Sequence, residues 1–268
     1  MIKKFFQALN SLKISYLLIS GQATVLYGAA TFSEDIDIWV KPNFKDWNNL
    51  LKVIRKLKGR IYKLSPPLKM DLIQRGHGYH FYFPSCAKEL SWFLGVMGKV
   101  PRVDDFTTAF KKANYLRTDW GRIPVISIRD LVEVKKTRRL SDYAVISNLV
   151  RIEYNNLASI SFKDWEWILK NTFEIEDLIY YLSKHRIAKE VASSLKRSSV
   201  KLIIKSLVKK EKKAFYIKEA SQKMALEIEE FRRKDRLYWQ SIIEELKRLN
   251  KKGKLLPEGS IPPSEIQL

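Results

Sequence analysis

Two aspartates stand two residues apart in Glu34-Asp35-Ile36-Asp37-Ile38-Trp39-Val40. On a β-strand that spacing puts both carboxylates on one face and Ile36 and Ile38 on the other. Neighbouring carboxylates repel unless something positive sits between them. Aspartate is also a poor strand former, so the pair needs a reason to be there. A divalent metal supplies one, because hard Mg²⁺ takes carboxylate and phosphate oxygens and keeps several waters. Upstream, the apolar run Tyr16 to Ile19 reads as a buried strand. Ser20-Gly21-Gln22 follows as a turn, and residues 23–27 give a short helical pattern ending at Gly28. Backbone N–H groups at such a helix start hold phosphate. Asp35 and Asp37 are therefore the candidate metal ligands, and Gly21 and Gln22 the candidate phosphate contacts. The plainer alternative is a solvent-facing strand edge that happens to carry two aspartates.

Other elements must hold these residues in place. Residues 1–13 make an amphipathic helix with Ile2, Phe5, Phe6, Leu9 and Leu12 on one side, suited to covering a sheet. Asn43 is placed to cap a helix running to about Leu57, with Trp47, Leu50, Leu51 and Ile54 turned inward. Residues 79–83 and 92–97 read as strands. Residues 69–78 fit a strand or a short helix, and pattern alone leaves both open. No glycine occurs between Gly121 and Gly253 and no proline between Pro124 and Pro257, which predicts an all-helical stretch. Within it Ser161 starts one helix and Thr172 caps another, with shorter helices over 187–195 and 200–208. A long charged helix or helix pair follows, interrupted at Asp235, and residues 254–268 read as a loose tail.

Composition narrows the partners. The 268 residues are 46% hydrophobic, enough for a sizeable core, and carry a formal charge of +21. Such a balance favours a polyanion, RNA or DNA or at least nucleotides, over a neutral ligand. Lysine and arginine are dense from 196 to 254, with Phe215, Tyr216, Tyr238 and Trp239 among them, the obvious place for a nucleic-acid backbone. The single cysteine, Cys86, excludes an internal disulfide framework and any multi-cysteine zinc site. No apolar run approaches membrane-spanning length and no signal peptide precedes the first strand, so the expected location is cytoplasmic.

A strand, a glycine turn, about ten residues and then Asp-x-Asp is a pattern that resembles the nucleotidyltransferase superfamily with the DNA polymerase beta-type palm. Gly21-Gln22 and Asp35-Ile36-Asp37 stand in those places. Gln22 replaces the commoner serine or glycine, and the arginine many relatives carry before the acidic pair is missing from Thr31-Phe32-Ser33-Glu34. Val125-Ile126-Ser127-Ile128-Arg129-Asp130-Leu131-Val132-Glu133-Val134-Lys135-Lys136-Thr137-Arg138-Arg139-Leu140-Ser141-Asp142 resembles a motif of one uncharacterised prokaryotic set, akin to abortive-infection and toxin–antitoxin nucleotidyltransferases. Arg75-Gly76-His77-Gly78-Tyr79-His80-Phe81, Asp235-Arg236-Leu237-Tyr238-Trp239 and Glu244-Glu245-Leu246 also resemble runs in that set.

The resemblance implies an α+β fold: a minimal palm of mixed sheet and flanking helices over 1–155, a basic helical region over 156–253, and the tail over 254–268. It implies Mg²⁺- or Mn²⁺-dependent transfer of a nucleoside monophosphate from an NTP to an RNA end, tRNA included, or to a protein hydroxyl, in a toxin–antitoxin or defence setting. Lys135 is a candidate phosphate contact near the end of its helix. The superfamily normally adds a third carboxylate on a later strand, and here Gly95 stands in that position. Asp71 and, less well, Glu89 are the candidate substitutes, and His77 and His80 candidates for assistance. The second reading is a catalytically degenerate protein of the same fold that binds RNA or a partner. A third is a helical interaction protein, such as an antitoxin, using the long C-terminal helix.

Overall fold

A seven-stranded mixed sheet organises the first of two compact units. The computed structural model describes residues 1–85 and 90–267. The first unit is Met1–Val134 together with Tyr238–Leu268, and the second is Lys135–Leu237.

In chain order, α1 (Ile2–Ser11) buries Phe5, Phe6 and Leu9. It leads to β1 (Tyr16–Ile19), buried throughout. Helix α2 (Ser20–Leu26) starts on the next residue, and β2 (Asp35–Val40) follows after a loop. Helix α3 (Phe44–Lys56) is capped by Asn43, whose side chain accepts from the Asp46 N–H at 2.8 Å. Then come β3 (Arg60–Ile61) and α4 (Met70–Arg75), which settles as helix the stretch that pattern left open. Strands β4 (Gly78–Phe83) and β5 (Trp92–Met97) precede α5 (Phe106–Lys111), capped by Asp105. A hairpin of β6 (Asn114–Thr118) and β7 (Gly121–Val125) leads into α6 (Ile128–Lys135), at whose start the Ser127 hydroxyl accepts from the Asp130 N–H at 3.2 Å.

The strand order is β3-β4-β5-β2-β1-β7-β6. Strands β1–β2, β3–β4, β4–β5 and β6–β7 pair antiparallel, while β2–β5 and β1–β7 pair parallel. One face of β4 and β5 is packed: Phe5 of α1 meets Phe83 and Trp92 at ring distances of 6.0 and 5.3 Å, and Trp47 of α3 meets Tyr79 at 5.4 Å. Burying Trp47, Leu50, Leu51 and Ile54 of α3 contributes about 1.5–3 kcal/mol each. The α+β architecture is as expected.

The second unit is helical, as the missing glycines and prolines predict: α7 (Asp142–Asn156), α8 (Phe162–Asn171), α9 (Ile175–Lys184), α10 (Arg186–Ser194), α11 (Ser198–Val208) and, past a 3₁₀ turn at Lys210–Lys212, α12 (Lys213–Lys251) up to Leu237. Ser161 caps α8 in a capping box with Asp164. Thr172 does not start the next helix. It ends α8, its hydroxyl donating to the Ile168 carbonyl at 2.8 Å, and Glu174 stands at the start of α9. Asp235 does not interrupt α12 either. It is 1% exposed and accepts from the Arg138 N–H at 3.0 Å, so its charge has a backbone donor and the helix runs through. Among the described residues no helix is long and apolar enough to cross a membrane.

Two expected boundaries move. The first break falls at 134/135, inside the basic motif and not at 155, because α7 packs with the helices that follow it. The C-terminal stretch is not a loose tail. Backbone bonds join Ile61 N–H to Ser260 O and Leu256 N–H to Ser65 O, both at 2.9 Å, and Gln267 N–H to Leu68 O at 2.9 Å. Arg55 donates to Pro262 O at 2.6 Å and Ile266 is buried. A stretch with few apolar residues can still be held by its backbone when it extends along an edge of a sheet.

Candidate functional site

Strand β1 pairs with β2 so that Ile19 stands beside Asp37. The last residue of β1 and the start of β2 thus share one end of the sheet, and α2 leaves β1 at that end. Asp35 is exposed and Asp37 half-buried, while Ile36 and Ile38 between and beyond them point into the core. Alternation fixes this: two aspartates at period two cannot enter a packed face without leaving charge unpaired there. Carboxylate oxygens on one open face suit a hard cation that keeps waters. Among the described residues no group of three or more histidine, cysteine, aspartate or glutamate side chains is placed to hold a metal ion.

The turn into α2 is tight. Ser20 adopts φ 59°, a left-handed conformation costing a residue with a Cβ about 1–2 kcal/mol. It redirects the chain from strand to helix in one step. Ser20-Gly21-Gln22, expected as a turn, is therefore the first turn of α2 itself. Gly21 is required by a close approach: a Cβ there would lie 2.2 Å from Ser33 Oγ. The Gln22 amide donates to Ser33 O at 2.8 Å, and Ser33 Oγ donates to Asp35 O at 3.2 Å. Gln22 thereby ties the loop before β2 to the start of α2. Ser33 carries no sequence signal of this role, being a small polar residue between two motifs.

Parallel pairing of β2 with β5 sets Asp37 beside Gly95, and antiparallel pairing of β5 with β4 sets Gly95 beside His80. Asp37, Gly95 and His80 form one row across the sheet on the same face. Gly95 thus stands next to the acidic pair, where the resemblance places a third carboxylate. The space is occupied: a Cβ on Gly95 would meet Asp37 Oδ1 at 2.1 Å. The His80 ring leans along its own strand over Gly78, its Cε1 3.5 Å from where a Cβ would be. Although His80 keeps solvent-exposed surface, the surrounding chain desolvates its ring and holds its pKa below the usual histidine value; the Lys63 charge adds to this and the Asp35 carboxylate opposes it.

The other candidates fall elsewhere. Asp71 lies on α4, exposed, 2.8 Å from Arg75 in a one-turn ion pair. Burial pushes the Tyr79 phenol up and the nearby Asp71 carboxylate adds to it. Tyr79 points to the face of β4 opposite His80, so Asp71 is not brought to the acidic pair. Its apolar neighbours Leu72 and Ile73 made it resemble a strand residue; they are the buried side of a helix. Glu89, like Cys86, lies outside the described residues. Lys135 is in the second unit, nearly buried, with its ammonium 3.1 Å from Asp142. Asp142 also accepts from Thr137 Oγ1 and from Arg139 at 3.2 Å. The charge of Lys135 is spent on holding α7, not displayed for a phosphate. His77 is fully buried with Nε2 2.7 Å from Glu245, which also takes Arg75 at 2.8 Å, and a Cβ on Gly76 would touch Tyr238 Oη at 2.9 Å. The Arg75-Gly76-His77 and Tyr238 to Glu245 motifs are thus two sides of one clamp on α12.

No family model matches the chain, and no curated protein matches it either. Among solved structures it is similar to an antigenic nucleotidyltransferase-like protein from Paracoccidioides brasiliensis, at 13% identity and a TM-score of 0.39, over 74% of this chain and 94% of that one. At that distance, what the site can do rests on its own geometry.

Proposed function

We propose that the first unit is a metal-dependent nucleotidyltransferase centre, moving a nucleoside monophosphate from an NTP to a hydroxyl of RNA or protein. The observation that supports it most is the meeting of Asp35 and Asp37 with the β1–α2 turn at one open end of the sheet. Asp35 and Asp37 are assigned to hold Mg²⁺ or Mn²⁺, which when bound neutralises charge developing on the phosphates. The start of α2 at Gly21 faces the triphosphate, and Gln22 keeps the loop to β2 closed against it. The acceptor oxygen bonds to the α-phosphorus, the bond from that phosphorus to the bridging oxygen breaks, and pyrophosphate leaves. We assign the hydroxyl proton to His80, across Gly95 on the same face, its ring turning from Gly78 toward the Asp35 end to take it. The +21 charge favours RNA, with tRNA among the acceptors, and a toxin–antitoxin or defence role suits such a reaction.

Gly95 supports a second reading. With Asp37 filling the third-carboxylate position, the fold would bind nucleotide or RNA without turnover. Transfer of α-³²P label from each NTP into total tRNA and into the protein itself separates the two. Label that disappears in Asp35→Asn/Asp37→Asn supports the enzyme. No label with any nucleotide, from folded protein that still binds RNA, sinks it in favour of the binding module.

A further inference from the structure

Beyond Gly95 the same open sheet face carries three aromatic rings. Asp35 pairs with Phe93 on β5, Phe93 with Tyr82 on β4, and Tyr82 with Arg60 on β3. Tyr62 follows β3, its N–H bonded to His80 O at 2.8 Å, which returns its side chain to this face. Ring centroids lie 4.7 Å apart for Tyr62–Phe93, 5.5 Å for Tyr82–Phe93 and 6.3 Å for Tyr62–Tyr82, tilted by 35–43°. All three remain half-buried in the whole chain, where the opposite face of the same strands is closed by α1 and α3. The Lys63 ammonium stands 4.8 Å over the Tyr62 ring, and Arg60 ends the row.

We infer that Phe93, Tyr82 and Tyr62 form a stacking shelf for the terminal nucleobase of a single-stranded RNA acceptor. The proposal rests on the nucleotidyltransferase reading only for the word acceptor; the stacking stands on the shelf itself. The side of the sheet identifies which base. The phosphate-facing turn of α2 lies on the β1 flank of β2, whereas the rings lie on the β5–β4 flank. In-line displacement puts the attacking oxygen opposite the leaving pyrophosphate. An NTP with its phosphates at α2 therefore leaves the β5–β4 flank to the acceptor. Phe93 is one strand from Asp35 and Tyr82 two, about 5 and 10 Å between backbones, a distance one nucleoside covers. Aromatic platforms flanked by cations are how unpaired bases are held irrespective of sequence, with Lys63 and Arg60 placed for the adjoining phosphate. A peptide docking here would meet two cations and two aspartates around three rings, a poor match for an apolar segment.

The test uses a short single-stranded RNA with 2-aminopurine at its 3′ end, whose fluorescence falls when the base stacks. The full chain is expected to quench it, and much less when the same label is internal. Tyr82→Leu/Phe93→Leu, which keeps apolar volume but removes the rings, is expected to abolish the quench and weaken binding about 10- to 100-fold. Tyr82→Phe and Phe93→Tyr keep both and guard against misfolding. Absence of quench by the unaltered protein, or equal quench by the leucine variant, overturns the shelf. Quenching of 2-aminopurine riboside triphosphate and not of the labelled RNA overturns the acceptor assignment and hands the rings to the NTP. Asp35→Asn/Asp37→Asn is expected to leave the RNA quench intact, so failure of transfer and failure of the shelf are read separately.

Discussion

Asp35 and Asp37 in the first unit, and Asp142 and Asp235 in the second, sit in motifs that look alike on paper: short, charged and specific. In the fold they part. Asp35 is exposed at the end of a sheet, whereas Asp142 is 5% and Asp235 1% exposed. The second pair is consumed by its surroundings. Asp142 gathers Lys135, Thr137 and Arg139, and Asp235 takes the Arg138 N–H. Each buried charge there is a joint between the basic motif and the helices around it. A buried charge is tolerated only when such partners are complete, whereas Asp35 keeps its carboxylate in solvent. The proposed site and the helical joints thus draw on the same residue type, and burial separates them.

The contrast is broken or sharpened by four substitutions. Asp37→Asn is expected to lower label transfer on the order of 10³-fold, several kcal/mol at the transition state. Its urea midpoint should stay near that of the unaltered chain; a large drop would make Asp37 structural and erase the contrast. For Asp142→Ala the order is reversed. It leaves the Lys135 ammonium buried without its carboxylate, so a loss of about 3–5 kcal/mol in denaturant unfolding is expected. Unchanged stability there would mean the cluster is not a joint.

Gly95→Ala is a smaller, local change. The new methyl would meet Asp37 Oδ1, so the carboxylate must swing aside. About tenfold weaker Mn²⁺ binding by electron paramagnetic resonance is expected, with about 1–2 kcal/mol of stability lost. Unaltered Mn²⁺ affinity would show that Asp37 does not hold the metal from this position. Smallest of all is Asp71→Asn, which removes one exposed ion pair worth about 0.5 kcal/mol. Transfer and melting should both stay put; a strong fall in transfer would restore Asp71 as the missing carboxylate.

Much of this was legible in the residues alone. Alternation placed Asp35 and Asp37 on one face, because a strand has only two faces and the isoleucines claim the inner one. The strand at Tyr16 to Ile19, the Asn43 cap and the helices from Ile128 onward followed from local chemistry that needs no distant partner, whereas residues 121–125, expected as helix, form β7. What local chemistry cannot carry is which charged side chain meets which. Lys135 reads as a phosphate ligand until α7 brings Asp142 against it, and Asp71 as a site residue until its helix lands on the other face. Residues 254–268 lack an apolar pattern, yet they dock through backbone bonds, the Arg55 guanidinium on Pro262 O and the buried Ile266. The aromatic row behind Asp35 is joined from Tyr62, Tyr82 and Phe93 by strand register alone. Turns and faces depend on neighbours in the chain, so the sequence by itself determined them. Pairing across strands and between helices depends on neighbours in space, and only the tertiary structure decided it.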